Sequence, residues 1–263
     1  MQQLRPLFGG PCISYHNAVI YRSDSFWVVL GGSCSGGGSA RQGMASEALS
    51  SWGSDLASGL IRNSLALLAR FISGVSVRWL DSQPDTCQRV YFANHTSHLD
   101  AVVLWSALPP EVRAVTRPVA AKDYWTAGPI RRFLSGRVFN AILIDRTDIK
   151  VHRSPVDLMT REIGHQYSII VFPEGGRSSG PDVQEFKSGL YYLCRRRPDL
   201  ELIPVYIDNM NRILPRGEVL PVPLLTGITF GPPMWLEAGE PKHHFLARAR
   251  EAVRRIQQLR GSS

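Results

Sequence analysis

The apolar residues of the first 43 positions keep no helical or strand period, whereas those beyond position 44 fall into two repeating patterns. Leu49, Trp52, Leu56, Leu60, Ile61, Leu65, Leu68 and Phe71 recur at steps of three, four and one, which predicts an amphipathic helix over 49–71. Arg62 and Arg70 interrupt it. That pattern suits a helix packed on a core, and equally a helix lying in a membrane interface with its arginines among headgroups. From residue 89 short apolar runs alternate with helical periods. Strands are predicted at Arg89–Ala93, Pro118–Ala121, Ala141–Ile144, Ser168–Phe172, Leu202–Ile207 and Gly227–Phe230. Helices are predicted at His98–Ala107, Pro129–Ser135, Pro155–Ile163, Gly189–Arg197 and Lys242–Leu259. The alternation points to an α/β fold: a largely parallel or mixed sheet flanked by helices, with an N-terminal amphipathic helix.

Three segments follow. Residues 1–43, with the run Ser33-Cys34-Ser35-Gly36-Gly37-Gly38-Ser39, read as a disordered extension, and Met44 offers a second start. Residues 44–80 carry the amphipathic helix, and 81–263 carry the alternating elements. Hydrophobic content of 44% and charged content of 20% are those of an ordinary globular protein. The net charge of +8 is less ordinary and favours anionic partners: nucleic acid, a membrane surface, an acidic protein or a phosphorylated small molecule. It concentrates at Arg195-Arg196-Arg197 and at Arg248, Arg250, Arg254, Arg255 and Arg260, runs that also suit a plain solvated helix face. Cys12, Cys34, Cys87 and Cys194 form no Cys-x-x-Cys pair and read as reduced thiols. No apolar run reaches the length of a transmembrane helix, and the N-terminus lacks a signal-peptide layout.

Candidate chemistry gathers after the predicted strands. Asn94-His95-Thr96-Ser97-His98-Leu99-Asp100 sits at a strand-to-helix junction. A histidine there can take a proton from an alcohol, and a carboxylate can hold its ring and stabilise the imidazolium. On one continuous helix His95 and Asp100 would point about 140° apart, so they meet only if the helix begins between them. Ser97-His98-Leu99-Asp100 has the form of a capping box, with Ser97 as N-cap and Asp100 as third helical residue. Phe172-Pro173-Glu174-Gly175-Gly176-Arg177-Ser178 follows another strand. Its glycines allow close backbone approach to a ligand, and Arg177 can grip a phosphate through two parallel hydrogen bonds. Arg146 and Lys122 each follow a strand in the same way. Polar groups at the carboxyl ends of parallel strands share one rim, where α/β sheets bind ligands. A base, a carboxylate and three cations on that rim suit an alcohol acceptor bearing a phosphate.

These residues resemble the glycerolipid acyltransferase family, whose bacterial archetype is 1-acyl-glycerol-3-phosphate acyltransferase. The family's motif Asn-His-x-Ser-x-x-Asp is met by Asn94, His95, Ser97 and Asp100. Its apolar run with arginine is met by Ile142 to Arg146, and its apolar strand with proline by Ile203-Pro204-Val205. Its Phe-Pro-Glu-Gly-Thr-Arg-Ser is met at Phe172 to Ser178, except that Gly176 replaces Thr. The resemblance covers roughly residues 85–235. It implies transfer of a fatty acyl group from acyl-CoA or acyl carrier protein to the hydroxyl of a lysophospholipid, with 1-acyl-glycerol-3-phosphate giving phosphatidic acid. By the same carry-over His95 is the general base and Asp100 orients it. Glu174, Gly175, Gly176 and Arg177 line the acceptor site, and Arg146, Lys122 and Lys187 are phosphate ligands. The thioester is a co-substrate, and no cofactor or metal is implied. The expected setting is the cytoplasmic face of an anionic membrane, peripheral or monotopic, without nucleic acid. Tafazzin-like transacylation and ornithine-lipid acylation use similar motifs. Two other classes stay open on the residues alone: a metal-dependent hydrolase using His95, His98 and Asp100, and a basic module binding an anionic surface or nucleic acid.

Overall fold

The computed structural model describes residues 22–23, 26–27, 61–70, 74–97, 99–145, 154–178, 180, 182–208 and 226–261. The chain divides into two units, Met1–Ser54 and Asp55–Ser263. In the first, Arg22–Ser23 (β1) pairs antiparallel with Phe26–Trp27 (β2). The rest of the predicted 1–43 extension lies outside the described residues, as do 49–60 and Phe71 of the predicted helix.

In the second unit residues 61–70 are helical (α1). The strands that follow are Ser76–Trp79 (β3), Arg89–Ala93 (β4), Thr116–Ala121 (β5), Ile142–Ile144 (β6), Ser168–Val171 (β7), Glu201–Asp208 (β8) and Gly227–Phe230 (β9). The helices are Asp100–Ala107 (α2), Pro110–Ala114 (α3), Lys122–Trp125 (α4), Pro129–Phe133 (α5), Pro155–Ile163 (α6), Gly189–Arg196 (α7) and Lys242–Gly261 (α8), with a π-turn over Leu134–Val138 after α5. Pro155 and Pro129 open α6 and α5 because proline's fixed φ suits the first helical position and its missing N–H would be unpaired there anyway.

Among the described residues of the second unit the strands form one seven-stranded sheet in the order β3-β9-β8-β4-β7-β5-β6. The five strands from β8 to β6 are mutually parallel; β9 runs antiparallel to β8, and β3 is parallel to β9. The sheet is therefore mixed, with a parallel core. β4 is at its centre and every residue of it is buried. β3, α3 and α4 are elements the sequence pattern did not single out; each is short, with too few apolar positions to set up a period.

Alternation along the strands splits the core into two layers. Val90, Phe92, Ile169, Val171, Leu202 and Tyr206 face one layer with α6, α7 and α8. Tyr91, Ala93, Ile170, Ile203, Val205 and Ile207 face the other with α1, α2, α3 and the π-turn. On α1, Ala66 packs into that second layer, while Ile61, Leu67 and Leu68 stay exposed. The buried Arg113 of α3 donates to Asn63 Oδ1 at 2.7 Å and to the carbonyls of Ser106 and Leu108, which ties α1 to the α2–α3 corner. No helix among the described residues is long and apolar enough to cross a membrane.

Candidate active site

Because β4, β5, β6, β7 and β8 run the same way, their carboxyl ends lie on one rim. β4 delivers Asn94 and His95 there, β7 delivers Phe172 to Arg177, and β5 delivers Lys122. The side chain of Asn94 replaces the missing ladder where β4 ends. Its Nδ2 donates to the Ile207 carbonyl at 2.9 Å, and its Oδ1 accepts the Ile207 N–H at 2.8 Å. A carboxamide can do this because it presents an N–H donor beside a C=O acceptor, as a peptide group does. The next residue, His95, thereby leaves the sheet from a fixed point.

His95 Nδ1 lies 2.8 Å from Asp100 Oδ2, and Asp100 is fully buried while 15% of the His95 side chain is exposed. The same Oδ2 accepts the backbone N–H of Thr96 at 2.6 Å and of Ser97 at 2.8 Å. The loop 95–97 is thus wound around one carboxylate oxygen. This corrects the capping box predicted from the sequence. α2 begins at Asp100 with Leu99 as N-cap, and Asp100 is the first helical residue instead of the third. The carboxylate still reaches back to the Ser97 N–H, but the Ser97 hydroxyl accepts from Leu99 N–H at 3.3 Å instead of capping a helical turn. The competing demand is the histidine: serving Nδ1 and two loop amides at once places the carboxylate at the helix's opening residue. With Nδ1 committed to Asp100, Nε2 is the ring nitrogen left for chemistry.

Three contacts across the strand ends fix the residue further, one at its ring and two at its backbone. The Phe172 ring stacks on His95 with centroids 4.4 Å apart and planes 24° apart. Glu174 Oε1 accepts the His95 backbone N–H at 3.2 Å, and the His95 carbonyl accepts the Ser178 N–H at 2.7 Å. Glu174 is buried, and burial pushes its carboxyl above the ordinary range against the pull of the His95 and Gln184 backbone N–H groups and the His95 ring. Its other oxygen, Oε2, is buried without a hydrogen-bond partner, as is Asp100 Oδ1. The stacking role of Phe172 and the bridging role of Asn94 were not assigned from the sequence. Their only signal was position, an aromatic and an amide each directly after an apolar strand.

The loop after β7 is a turn closed by Gly175 N–H to the Phe172 carbonyl at 3.0 Å. Gly175 has φ +68°, and a Cβ on it would stand 2.6 to 3.0 Å from Cδ, Cε and Nζ of Lys187. Lys187 is carried there by its N–H bond to the Pro173 carbonyl at 2.8 Å. The structure therefore brings Lys187 onto the glycine loop. Gly176 differs, for a Cβ there meets nothing within 4 Å and its φ is unexceptional. Arg177 is half-buried. Lys122 stands on the same rim, paired with Asp145 Oδ2 at 3.7 Å beyond the next strand. Arg146 and His98 lie outside the described residues. Among the described residues no three His, Cys, Asp or Glu side chains gather as a metal-ligand set.

The sequence model of the family described as Acyltransferase matches residues 74–208, which spans β3 to β8 and the whole of this rim. The chain belongs to the acyltransferase family. It is 26% identical over 137 residues to the 1-acyl-sn-glycerol-3-phosphate acyltransferase of Escherichia coli, covering 47% of this chain and 51% of that protein. It is 29% identical over 145 residues to a protein named Taffazin from Dictyostelium discoideum, covering 51% of this chain and 49% of that one. The chain thus spans about half the length of the curated relatives it matches. In fold it is similar to the crystal structure of the 1-acyl-sn-glycerophosphate acyltransferase of Thermotoga maritima, with a TM-score of 0.61, 18% identity, and coverage of 77% of this chain and 79% of that one. In this acyltransferase chain the matched region places His95 and Asp100 at one strand end and Glu174 at its neighbour, the arrangement that the parallel core imposes.

Proposed function

We propose that the chain transfers a fatty acyl group from a thioester to the hydroxyl of a lysophospholipid, with His95 as general base. The observation that carries this reading is the 2.8 Å contact of His95 Nδ1 with the fully buried Asp100. A thioester is already a good electrophile, so no enzyme nucleophile is required. His95 Nε2 takes the acceptor's hydroxyl proton as the oxygen attacks the thioester carbonyl. Asp100 holds the ring and offsets the positive charge it gains. Collapse of the tetrahedral intermediate breaks the C–S bond, and the thiolate leaves and takes the proton back from Nε2. The ester and a free thiol result.

The acceptor is 1-acyl-glycerol-3-phosphate in this reading, and the donor acyl-CoA or acyl carrier protein. Arg177, Lys187, Lys122 and Arg146 are assigned to its phosphate. The position of Lys187 against Gly175 supports that assignment, since it puts an ammonium beside the loop nearest His95. The Escherichia coli relative, whose name carries this acceptor, favours it too.

A thiol-release assay with acyl-CoA against a panel of lysolipids tests the proposal. Release is expected to be fastest with 1-acyl-glycerol-3-phosphate, and H95A is expected to lower it by about 10²- to 10⁴-fold with an unchanged circular dichroism spectrum. No release with any lysolipid overturns the function. Release that survives H95A overturns the base assignment.

A further inference from the structure

The chain leaves the site rim through α4 and α5, and α5 carries an arrangement that packing does not explain. Ile130 is 74% exposed, more than any other large apolar side chain among the described residues, and Phe133 is 48% exposed. They are three apart on one helix and so share a face. The side of this segment that the core needs is already supplied by its next turn. Val138 and Phe139 are buried, and Phe139 meets Trp105 at 5.0 Å and Trp125 at 5.8 Å between ring centroids, both edge to face. The outward apolar pair therefore rides on a firmly anchored base.

Cations surround that pair. Arg131, Arg132 and Arg137 are exposed, and among the described residues none pairs with a carboxylate. Arg131 rests over the Tyr124 ring at 4.2 Å, and Arg132 donates to the Thr126 carbonyl at 3.4 Å, so both are held beside the pair. An apolar ridge ringed by unneutralised arginines complements the headgroup region of an anionic bilayer, where chains accept the ridge and phosphates the guanidiniums. A soluble acidic partner would match the charge and leave Ile130 and Phe133 without a counterpart of their own.

We infer that α5 and the π-turn form a membrane-insertion foot, in which Ile130 and Phe133 enter an anionic bilayer and Arg131, Arg132 and Arg137 engage its phosphates. The foot is distinct from α1, whose exposed Ile61, Leu67 and Leu68 lie on the same side of the sheet. It stands near the site because α4 begins directly at the carboxyl end of β5, two strand spacings, about 10 Å, from β4 and His95. The inference rests on the acyl-transfer reading only in giving the foot a purpose: a lysolipid could then offer its hydroxyl to His95 while its chain stays in the interface.

Vesicle flotation of the full chain tests the foot without reference to activity, using phosphatidylcholine alone and phosphatidylcholine with about a third phosphatidylglycerol. I130S/F133S is expected to weaken binding to the mixed vesicles by about tenfold or more. R131Q/R132Q is expected to weaken it by about fivefold per arginine, with no change on phosphatidylcholine alone. Melting temperatures of both variants are expected to match the parent's, because the side chains are exposed. Binding unchanged in both variants overturns the foot, whatever the lysolipid panel shows. A lowered melting temperature with unchanged binding assigns the face to packing within the chain. Loss of self-association with unchanged binding assigns it to a second copy. Either result also overturns the inference. Vesicle binding that depends on these residues in a chain that releases no thiol sustains the foot and sinks the acyl-transfer reading alone.

Discussion

Glu174 accepts the backbone N–H of His95 across the gap between β7 and β4, so two motifs 79 positions apart are joined at the main chain. The bond holds the backbone of the proposed base, while Asp100 and Phe172 hold its ring. A carboxylate used in this way must be buried, and burial raises its pKa.

That shift has a pH consequence. A carboxyl with a raised pKa binds more protons in the folded chain than in the unfolded one, so stability falls as pH rises from the unfolded value, about 4.3, through the folded one. Glu174→Gln keeps an oxygen for the His95 N–H and removes the charge. Its melting temperature is expected to match the parent's at about pH 4 and to exceed it increasingly above that. Parallel melting curves across this range, or a gap that narrows with rising pH, would contradict the burial argument.

Asp100 separates orientation from architecture. Asp100→Ala strands the Thr96 and Ser97 amides and is expected to destabilise the fold by about 3 kcal/mol in denaturant titration. Asp100→Asn retains one carbonyl oxygen for those amides, so most of that stability should remain. Acyl transfer should nonetheless fall by about 10²-fold or more, because a neutral amide stabilises the imidazolium poorly and can favour the wrong tautomer. An Asn variant of near-normal rate would show that the carboxylate serves only the loop.

Adjacent glycines should answer differently. Gly175→Ala forces an L-residue into positive φ and displaces the Lys187 side chain, so a loss of about 1 kcal/mol in stability and a raised KM for the phosphate-bearing acceptor are expected. Gly176→Thr, the family's residue at this place, enters open space at ordinary φ. Its stability should stay within about 0.5 kcal/mol of the parent. Equal losses at the two positions would refute this account of the loop.

Asn94 is expected to behave as part of the sheet. Asn94→Leu leaves both Ile207 backbone groups unpaired in a buried setting, with a cost of about 2–4 kcal/mol. Hydrogen exchange should accelerate at the Ile207 amide more than at its neighbours in β8. Unchanged exchange there would mean that another group serves that amide.

Much of this was legible in one dimension. The runs Arg89–Ala93 and Gly227–Phe230 and the Pro-initiated Pro155–Ile163 form their elements at the predicted bounds. Each couples a clear period to a local stop signal, which neighbours along the chain suffice to read. The pairing of His95 with Asp100 was legible for the same reason, since five residues at a strand-to-helix junction leave few ways to fold.

What the sequence could not decide depends on which segments become neighbours. That β7 lies directly beside β4, so that His95 meets Glu174, follows from the sheet order and not from any run of residues. The start of α2 moved to Asp100 because one carboxylate serves a ring and two amides at once, a contest between contacts that no propensity scale contains. Lys122 is paired with Asp145 because β6 lies beside β5. Helical spacing in Pro129-Ile130-Arg131-Arg132-Phe133 predicts a helix, but only the packed turn behind it shows that Ile130 and Phe133 point away from the core. Local patterns record which residues alternate between solvent and interior, and the global arrangement of strands and helices decides which surfaces then remain uncovered.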